Sequence, residues 1–288
     1  MIPLKDNLSL KRFPIVTLSL IVLNILVFVY ELSLGPELLI FFKRYAIVPA
    51  QFFAGGYYDF FGRKQPLTPL EMAFPLLTSM FLHGGFLHLA GNMLYLWIFG
   101  DNIEDKIGSA RFLILYLASG MVAATAHLIM NSDSAIPSLG ASGAVSGVLG
   151  AYILLYPRAR ILTVLPILFF LQFFELPAFF FIGTWLVQQL LYGMVIFWSK
   201  GAESGGIAWW AHIGGFIAGL VFLLLLKSIT VKGSIQNKDA LLQKEYLYKI
   251  KTRKLVFEPT GALPRPAAPK DVDFNNVQTQ TITLRIQR

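Results

Sequence analysis

Apolar residues along the chain gather into six runs, at 14–34, 86–101, 112–130, 139–156, 177–198 and 207–226. A helix that crosses a bilayer needs about 20 mostly apolar residues, so each run predicts a membrane span. A seventh run, 161–174, holds Pro166 and Gln172 and is closed by Glu175, Leu176 and Pro177. It is too short to cross comfortably and predicts a re-entrant or interfacial segment. The first run follows Lys5, Lys11 and Arg12. It exceeds the apolar stretch of a secretory signal, and no small-x-small cleavage site follows it, which predicts an uncleaved first helix. The expected architecture is an all-α membrane protein, with a six-helix domain over 1–230 and a basic tail over 231–288.

The polar segments between the runs set the orientation. With the N-terminus inside, the inner segments carry Lys5, Lys11, Arg12, Lys106, Arg111, Arg158, Arg160, Lys227 and Lys232. The outer ones carry Lys43, Arg44, Arg63, Lys64 and Lys200. This excess predicts cytoplasmic N- and C-termini, in what is expected to be a cell (inner) membrane. The first outer loop, residues 35–75, is rich in aromatics from Phe41 to Phe61. Aromatic rings favour the headgroup level, so the loop is expected to lie partly in the outer leaflet. Beyond Leu226, residues 238–254 alternate basic and apolar positions and predict a short surface helix. Residues 257–288 hold four prolines with little apolar periodicity and predict a largely disordered end. The tail's expected role is adhesion to anionic lipid.

Composition agrees with a bilayer as solvent. The 288 residues are 56% hydrophobic and 14% charged, with a mean hydropathy of +0.63, whereas soluble domains carry roughly a quarter charged residues. The absence of cysteine excludes disulfides, thiolate catalysis and Cys-ligated metal. A net charge of +8 raises nucleic acid as a partner. Half of the Lys and Arg residues follow Leu226, however, and no basic face interleaved with aromatics stands on a folded module. No nucleic-acid partner is expected.

An ionisable residue within a span is costly and is a functional hypothesis by default. The informative polar residues are His88 and Asn92 in the second run, Ser142 in the fourth and His212 in the sixth. Given the orientation above, these three spans all run inward, and all four residues sit near their starts, at one depth below the outer surface. That coincidence requires that 161–174 not cross. Gly143 and Gly147 form a small-residue stripe on the fourth span, as do Ala211, Gly215 and Gly219 on the sixth. Such stripes let helix backbones approach closely, which brings the imidazole of His212 toward the hydroxyl of Ser142. His127, alone in the third span, reads as a structural hydrogen-bonder. His83, with Gly84 and Gly85, reads as shaping a loop. Metal is not expected: no His-Glu-x-x-His helix occurs, and glutamate is expected to be absent from the outer ends of the spans.

These residues together resemble the rhomboid family of intramembrane serine proteases. The resemblance covers residues 78–226. It rests on the string from His83 through His88 to Asn92, the turn from Phe99 to Asp105, Gly140-Ala141-Ser142-Gly143, and Ala211-His212 with Gly215 and Gly219. It implies a six-helix core, a catalytic dyad of Ser142 and His212, and an oxyanion site formed with His88 and Asn92. Single-span membrane proteins cut near their outer end are the implied substrates, without a cofactor. Many members carry a Trp-Arg pair in the first outer loop, which is absent here. Some place a tyrosine one turn after the serine, against the catalytic imidazole; Ser146 stands there in this chain. Since no Asp or Glu is placed to orient His212, the expectation is a dyad rather than a triad.

Two other classes compete. A non-proteolytic, rhomboid-like protein that escorts membrane clients typically lacks the serine or the histidine, and this chain has both. A transporter using His88, His127 and His212 as a proton path needs polar groups at several depths, whereas the best ones share one.

Overall fold

The computed structural model describes residues 1–58, 63–167, 170–198 and 208–228. The chain divides into two units, Met1–Val231 and Lys232–Arg288, and the described residues all belong to the first. The surface helix predicted at 238–254 and the disorder predicted beyond it lie outside the described residues. In chain order the elements are β1 (Ile2–Asp6), α1 (Ile15–Ser33), α2 (Leu38–Tyr45), α3 (Pro49–Ala54), β2 (Gly56–Tyr58), β3 (Lys64–Pro66), α4 (Pro69–Thr78), α5 (Phe86–Tyr95), α6 (Asp101–Ile107), α7 (Ser109–Met130), α8 (Ser142–Leu155), β4 (Arg160–Ile167), β5 (Phe170–Pro177), α9 (Ala178–Trp198) and α10 (Trp209–Ser228).

Among the described residues, α1, α7, α9 and α10 are long and apolar enough to cross a membrane. A wide π-type turn at Leu96–Gly100 joins α5 to α6, so one helical path runs over Phe86–Ile107. It meets the same test only together with Pro69–Phe81, from which it is bent by 80°. With 14 residues, α8 extends about 21 Å at 1.5 Å per residue. It nevertheless lies at the centre of the fold, since every residue from Gly143 to Tyr152 is buried.

Glycine explains how so short a helix is enclosed. A Cβ at Gly147 would collide with Ser119 of α7, and one at Gly150 with the Phe216 carbonyl of α10. On the facing side, a Cβ at Gly215 or Gly219 would collide with the carbonyls of Gly143 and Gly147. The two predicted stripes therefore meet, and backbone packs on backbone without intervening side chains. Aromatic packing closes the far end of α8, where the Phe99 and Tyr152 rings meet edge to face at 4.9 Å.

The segment 161–174 takes a form that the all-α expectation did not include. It forms the greater part of an antiparallel hairpin, β4 paired with β5 from Arg160↔Pro177 to Ile167↔Phe170. β1 adds to the free side of β4, giving the order β1-β4-β5. The run therefore does not cross as a helix, and the all-α expectation is corrected by this sheet and by the small β2-β3 hairpin. The physical reason is local: Ile161, Thr163, Val164, Phe173 and Phe174 are β-branched or aromatic and fit a pleated strand. The backbone polar groups find partners across the hairpin rather than along a helix.

Beneath this sheet, polar groups bind the N-terminal segment to the bundle. The Glu104 carboxylate, buried in α6, accepts from the backbone N–H groups of Val16 (2.9 Å) and Thr17 (2.8 Å), and from the hydroxyls of Thr17 (2.8 Å) and Ser109 (2.6 Å). It thus satisfies donors left open at the start of α1, where no side chain of α1's own caps the helix. Asp6 of β1 accepts from Tyr152 Oη at 2.6 Å and from Asn102 Nδ2 at 2.8 Å.

Candidate active site

The Gly140-Ala141-Ser142-Gly143 string spans a loop-to-helix junction. Gly140 has φ +126°, a left-handed conformation that side chains rarely adopt, and its N–H donates to the Ser79 carbonyl at 2.8 Å. The loop before it is tied to the segment between α2 and α3. Ile47 and Ser138 exchange backbone hydrogen bonds of 3.0 and 2.7 Å, and Ala50 N–H reaches the Ser134 carbonyl at 2.9 Å. Ser142 is the first residue of α8, where the helix N-terminus offers open N–H donors and the positive end of its dipole.

Across the glycine contact, α10 presents His212. Its Nε2 lies 2.8 Å from Ser142 Oγ, although 70 residues separate the two in sequence. Its other nitrogen, Nδ1, lies 2.7 Å from Gln189 Oε1 of α9. Gln189 is 4% exposed. Trp185, one turn earlier on α9, sets its ring 5.9 Å from the imidazole at 38°, and Trp209 meets the imidazole edge to face at 6.4 Å.

The second-span residues face the same junction. A Cβ at Gly140 would lie 2.7 Å from His88 Nε2 and 3.6 Å from Asn92 Nδ2. Glycine at 140 therefore leaves room for the His88 ring as well as allowing the backbone angle. Asn92 is buried, and its Nδ2 has no hydrogen-bond partner, although an unpaired buried donor is costly.

Sequence reasoning thus placed Ser142, His212, His88 and Asn92 in one region, and the structure brings them together. The glycines do this by close approach: Gly143 packs on Ala123, and Gly215 on the Gly143 carbonyl. His83 is buried in the bend before α5, its ring 5.2 Å from that of His88. His127 lies at the edge: it shares with Ser142, Ser79, Ser138 and Gly140 the lining of a cavity of about 30 Å³, room for a water molecule or two.

Two residues escaped the sequence reading. Glu31, 1% exposed near the end of α1, accepts the backbone N–H of His83 at 3.1 and 3.3 Å. A carboxylate within an apolar run is costly and so a signal in itself, and Glu31 corrects the expectation that the outer ends of the spans hold no glutamate. Gln189 is the other, and only the register of α9 against α10 reveals its partner. Among the described residues, no group of three or more His, Asp or Glu side chains is placed to hold a metal ion.

The structure is thus a bundle of apolar helices in which the serine at the start of the central helix is paired with a histidine from a neighbouring one. A Rhomboid domain model matches residues 70–229, and the chain belongs to that family as a multi-pass membrane protein. It is 32% identical over 156 residues to Rhomboid protein 1, mitochondrial, of Saccharomyces cerevisiae, covering 51% of this chain and 40% of that protein. It is 30% identical over 152 residues to the human presenilin-associated rhomboid-like protein, mitochondrial, covering 52% of this chain and 37% of that one. Over a shorter stretch of 76 residues it is 49% identical to Rhomboid protease GluP of Bacillus subtilis, covering 26% of this chain and 14% of that protein. The chain thus spans well under half of the length of each of these relatives.

Proposed function

We propose that the protein is an intramembrane serine endopeptidase that cleaves transmembrane substrates near their extracytoplasmic end. The observation that carries this reading is the 2.8 Å pairing of Ser142 Oγ with His212 Nε2 among predominantly apolar helices. A serine hydroxyl is a weak nucleophile until an adjacent base takes its proton. His212 accepts that proton as Ser142 Oγ attacks the scissile carbonyl, then delivers it to the leaving amine. Water repeats the sequence on the acyl-enzyme, with His212 again as base.

The tetrahedral intermediate places negative charge on the former carbonyl oxygen. Asn92 Nδ2, His88 and the backbone N–H of Ser142 supply the donors, and loss of one such donor typically costs about 3 kcal/mol of transition-state stabilisation. The unpartnered state of Asn92 Nδ2 supports this role, because the group has capacity that the resting protein does not use.

In this reading the domain over 1–230 crosses six times, α5 with α6 and the short α8 supplying two crossings beside the four long helices. Both termini are cytoplasmic, and the site opens outward, where water reaches the acyl-enzyme. The membrane is a cell (inner) membrane; the yeast and human relatives are named mitochondrial. The outer segment from α2 to α4 lies in the outer leaflet, consistent with the exposed Leu39, Ile40, Phe53, Leu70 and Phe74. Substrates are single-span proteins with helix-destabilising residues near the cut, since a peptide bond inside a stable helix is hydrogen-bonded and hidden.

The test is reconstitution with a set of tagged single-span reporters, comparing wild type with Ser142→Ala. Wild type is expected to cleave and to be labelled at Ser142 by a serine-directed phosphonate; the variant does neither. Equal cleavage by both would remove the serine from the mechanism. A wild type that neither cuts nor labels points instead to a non-proteolytic escort of membrane clients.

A further inference from the structure

The imidazole of a serine–histidine pair must do more than lie near the hydroxyl. Its Nε2 must carry the lone pair, so the ring proton must sit on Nδ1, and the ring must keep its plane through the transfer. In triads of this kind a buried carboxylate performs both tasks by accepting from Nδ1–H. The sequence offered no such acid, and the aromatic ring expected one turn after the serine is replaced by Ser146. That hydroxyl donates to the Ser142 carbonyl at 2.6 Å.

α9 supplies both missing parts from one face. Trp185 and Gln189, four residues apart, point toward α10 together, as the i,i+4 spacing of a helix allows. The Trp185 ring lies against the imidazole and also reaches Phe216 at 6.3 Å. The amide oxygen of Gln189 stands 2.7 Å from Nδ1. We propose that Gln189 is the positioning residue of the site, a neutral third member that accepts from Nδ1–H and so directs the Nε2 lone pair at Ser142. This rests on the protease reading above.

An amide suits this location better than an acid. Gln189 is 4% exposed, and a carboxylate buried there would carry a heavy desolvation cost without a partner cation. The amide oxygen gives the same acceptor geometry without that cost. It selects the tautomer and the ring orientation, and it leaves the charge of the imidazolium to be stabilised elsewhere.

The test separates packing from hydrogen bonding by comparing isosteres. Gln189→Met keeps the volume and removes the amide oxygen; Gln189→Glu keeps an acceptor oxygen and adds charge. In single-turnover cleavage of a reporter, Gln189→Met is expected to lower kcat roughly 10- to 100-fold with KM little changed. Gln189→Glu is expected to restore most of the rate and to move the acid limb of the pH–rate profile upward by about 1 unit or more, because a carboxylate favours the imidazolium form. In parallel, ¹⁵N-histidine NMR, with the His212 signal assigned by its loss in His212→Gln, reads the tautomer without requiring activity. The Nδ1–H form should dominate in wild type and give way to a mixture in Gln189→Met. Three results overturn the proposal: wild-type kcat in Gln189→Met, equal losses in the Met and Glu variants, or an Nε2–H tautomer in the wild type. A wild type that shows the Nδ1–H form yet cleaves and labels nothing leaves the positioning standing and sinks the protease reading instead.

Discussion

The two ends of α8 both bury polar side chains among apolar helices, yet they treat hydrogen-bonding capacity in opposite ways. Around Tyr152 the capacity is used up. Glu104 accepts four hydrogen bonds, and Asp6 gathers Tyr152, Asn102 and the N–H of Leu8. Around Ser142 a donor is held in reserve: Asn92 Nδ2 has no partner. A satisfied buried network stabilises and rigidifies, whereas an unsatisfied group raises the energy of the resting state until something binds it. Polarity in a membrane helix therefore does not by itself mark a site. An unspent donor beside a serine–histidine pair is the more telling sign, and the comparison predicts which variants lose stability and which lose chemistry.

The largest effect separating the two ends is expected at Glu104. Glu104→Ala strands two backbone N–H groups and two hydroxyls at the junction of α1 with α6 and α7, with Glu104 itself only 2% exposed. The expected cost is about 4 kcal/mol of stability. It is read as a lower midpoint in detergent–SDS unfolding, while cleavage per folded molecule stays at the wild-type value. Loss of activity without loss of stability would place Glu104 on the wrong side of the comparison.

Asn92→Ala tests the other end and reverses the pattern. Removing an unpartnered buried donor takes away a desolvation cost, so the unfolding midpoint is expected to hold or rise. The same change is expected to lower kcat about 100-fold, by loss of one oxyanion donor. A destabilised variant with intact kcat would mean that Asn92 has a structural partner in the resting protein.

How much of this division was legible in the sequence follows from how local each signal is. The four long apolar helices were legible because apolar runs are read from the chain itself, and the grouping of Ser142, His88, Asn92 and His212 because their motifs need no knowledge of packing. That the 161–174 run forms strands was not legible, because a strand is defined by the partner it pairs with, and Pro166 argued only against a long helix. Gln189 was invisible for a related reason: it lies 23 residues from His212, and its role exists only in the register of α9 on α10. Glu31 was legible and overlooked. Glu104 belonged to a recognised turn motif, but nothing in the string showed that its oxygens reach across to Val16 and Thr17.

The smallest expected effect concerns Asp6, a titratable group of the satisfied end that lies outside the spans. Burial raises the Asp6 carboxyl above the ordinary carboxylate range, and the hydrogen bonds from Tyr152 and Leu8 only partly oppose it. The native state thus holds this proton at a pH where the unfolded chain has released it. Between the ordinary and the raised value the native state binds more protons, so stability falls as pH rises through that window. What Asp6 contributes is fully present below the unfolded value and is lost above the native one. Asp6→Asn, which cannot titrate, is expected to flatten this part of the pH dependence while leaving cleavage unchanged, since Asp6 sits at the far end of α8 from Ser142. Unfolding midpoints of both proteins from about pH 4 to pH 7 make the measurement. Parallel curves would show that the Asp6 cluster is as well solvated as the unfolded chain, and would take from that end of α8 the dry, saturated character that sets it against the serine end.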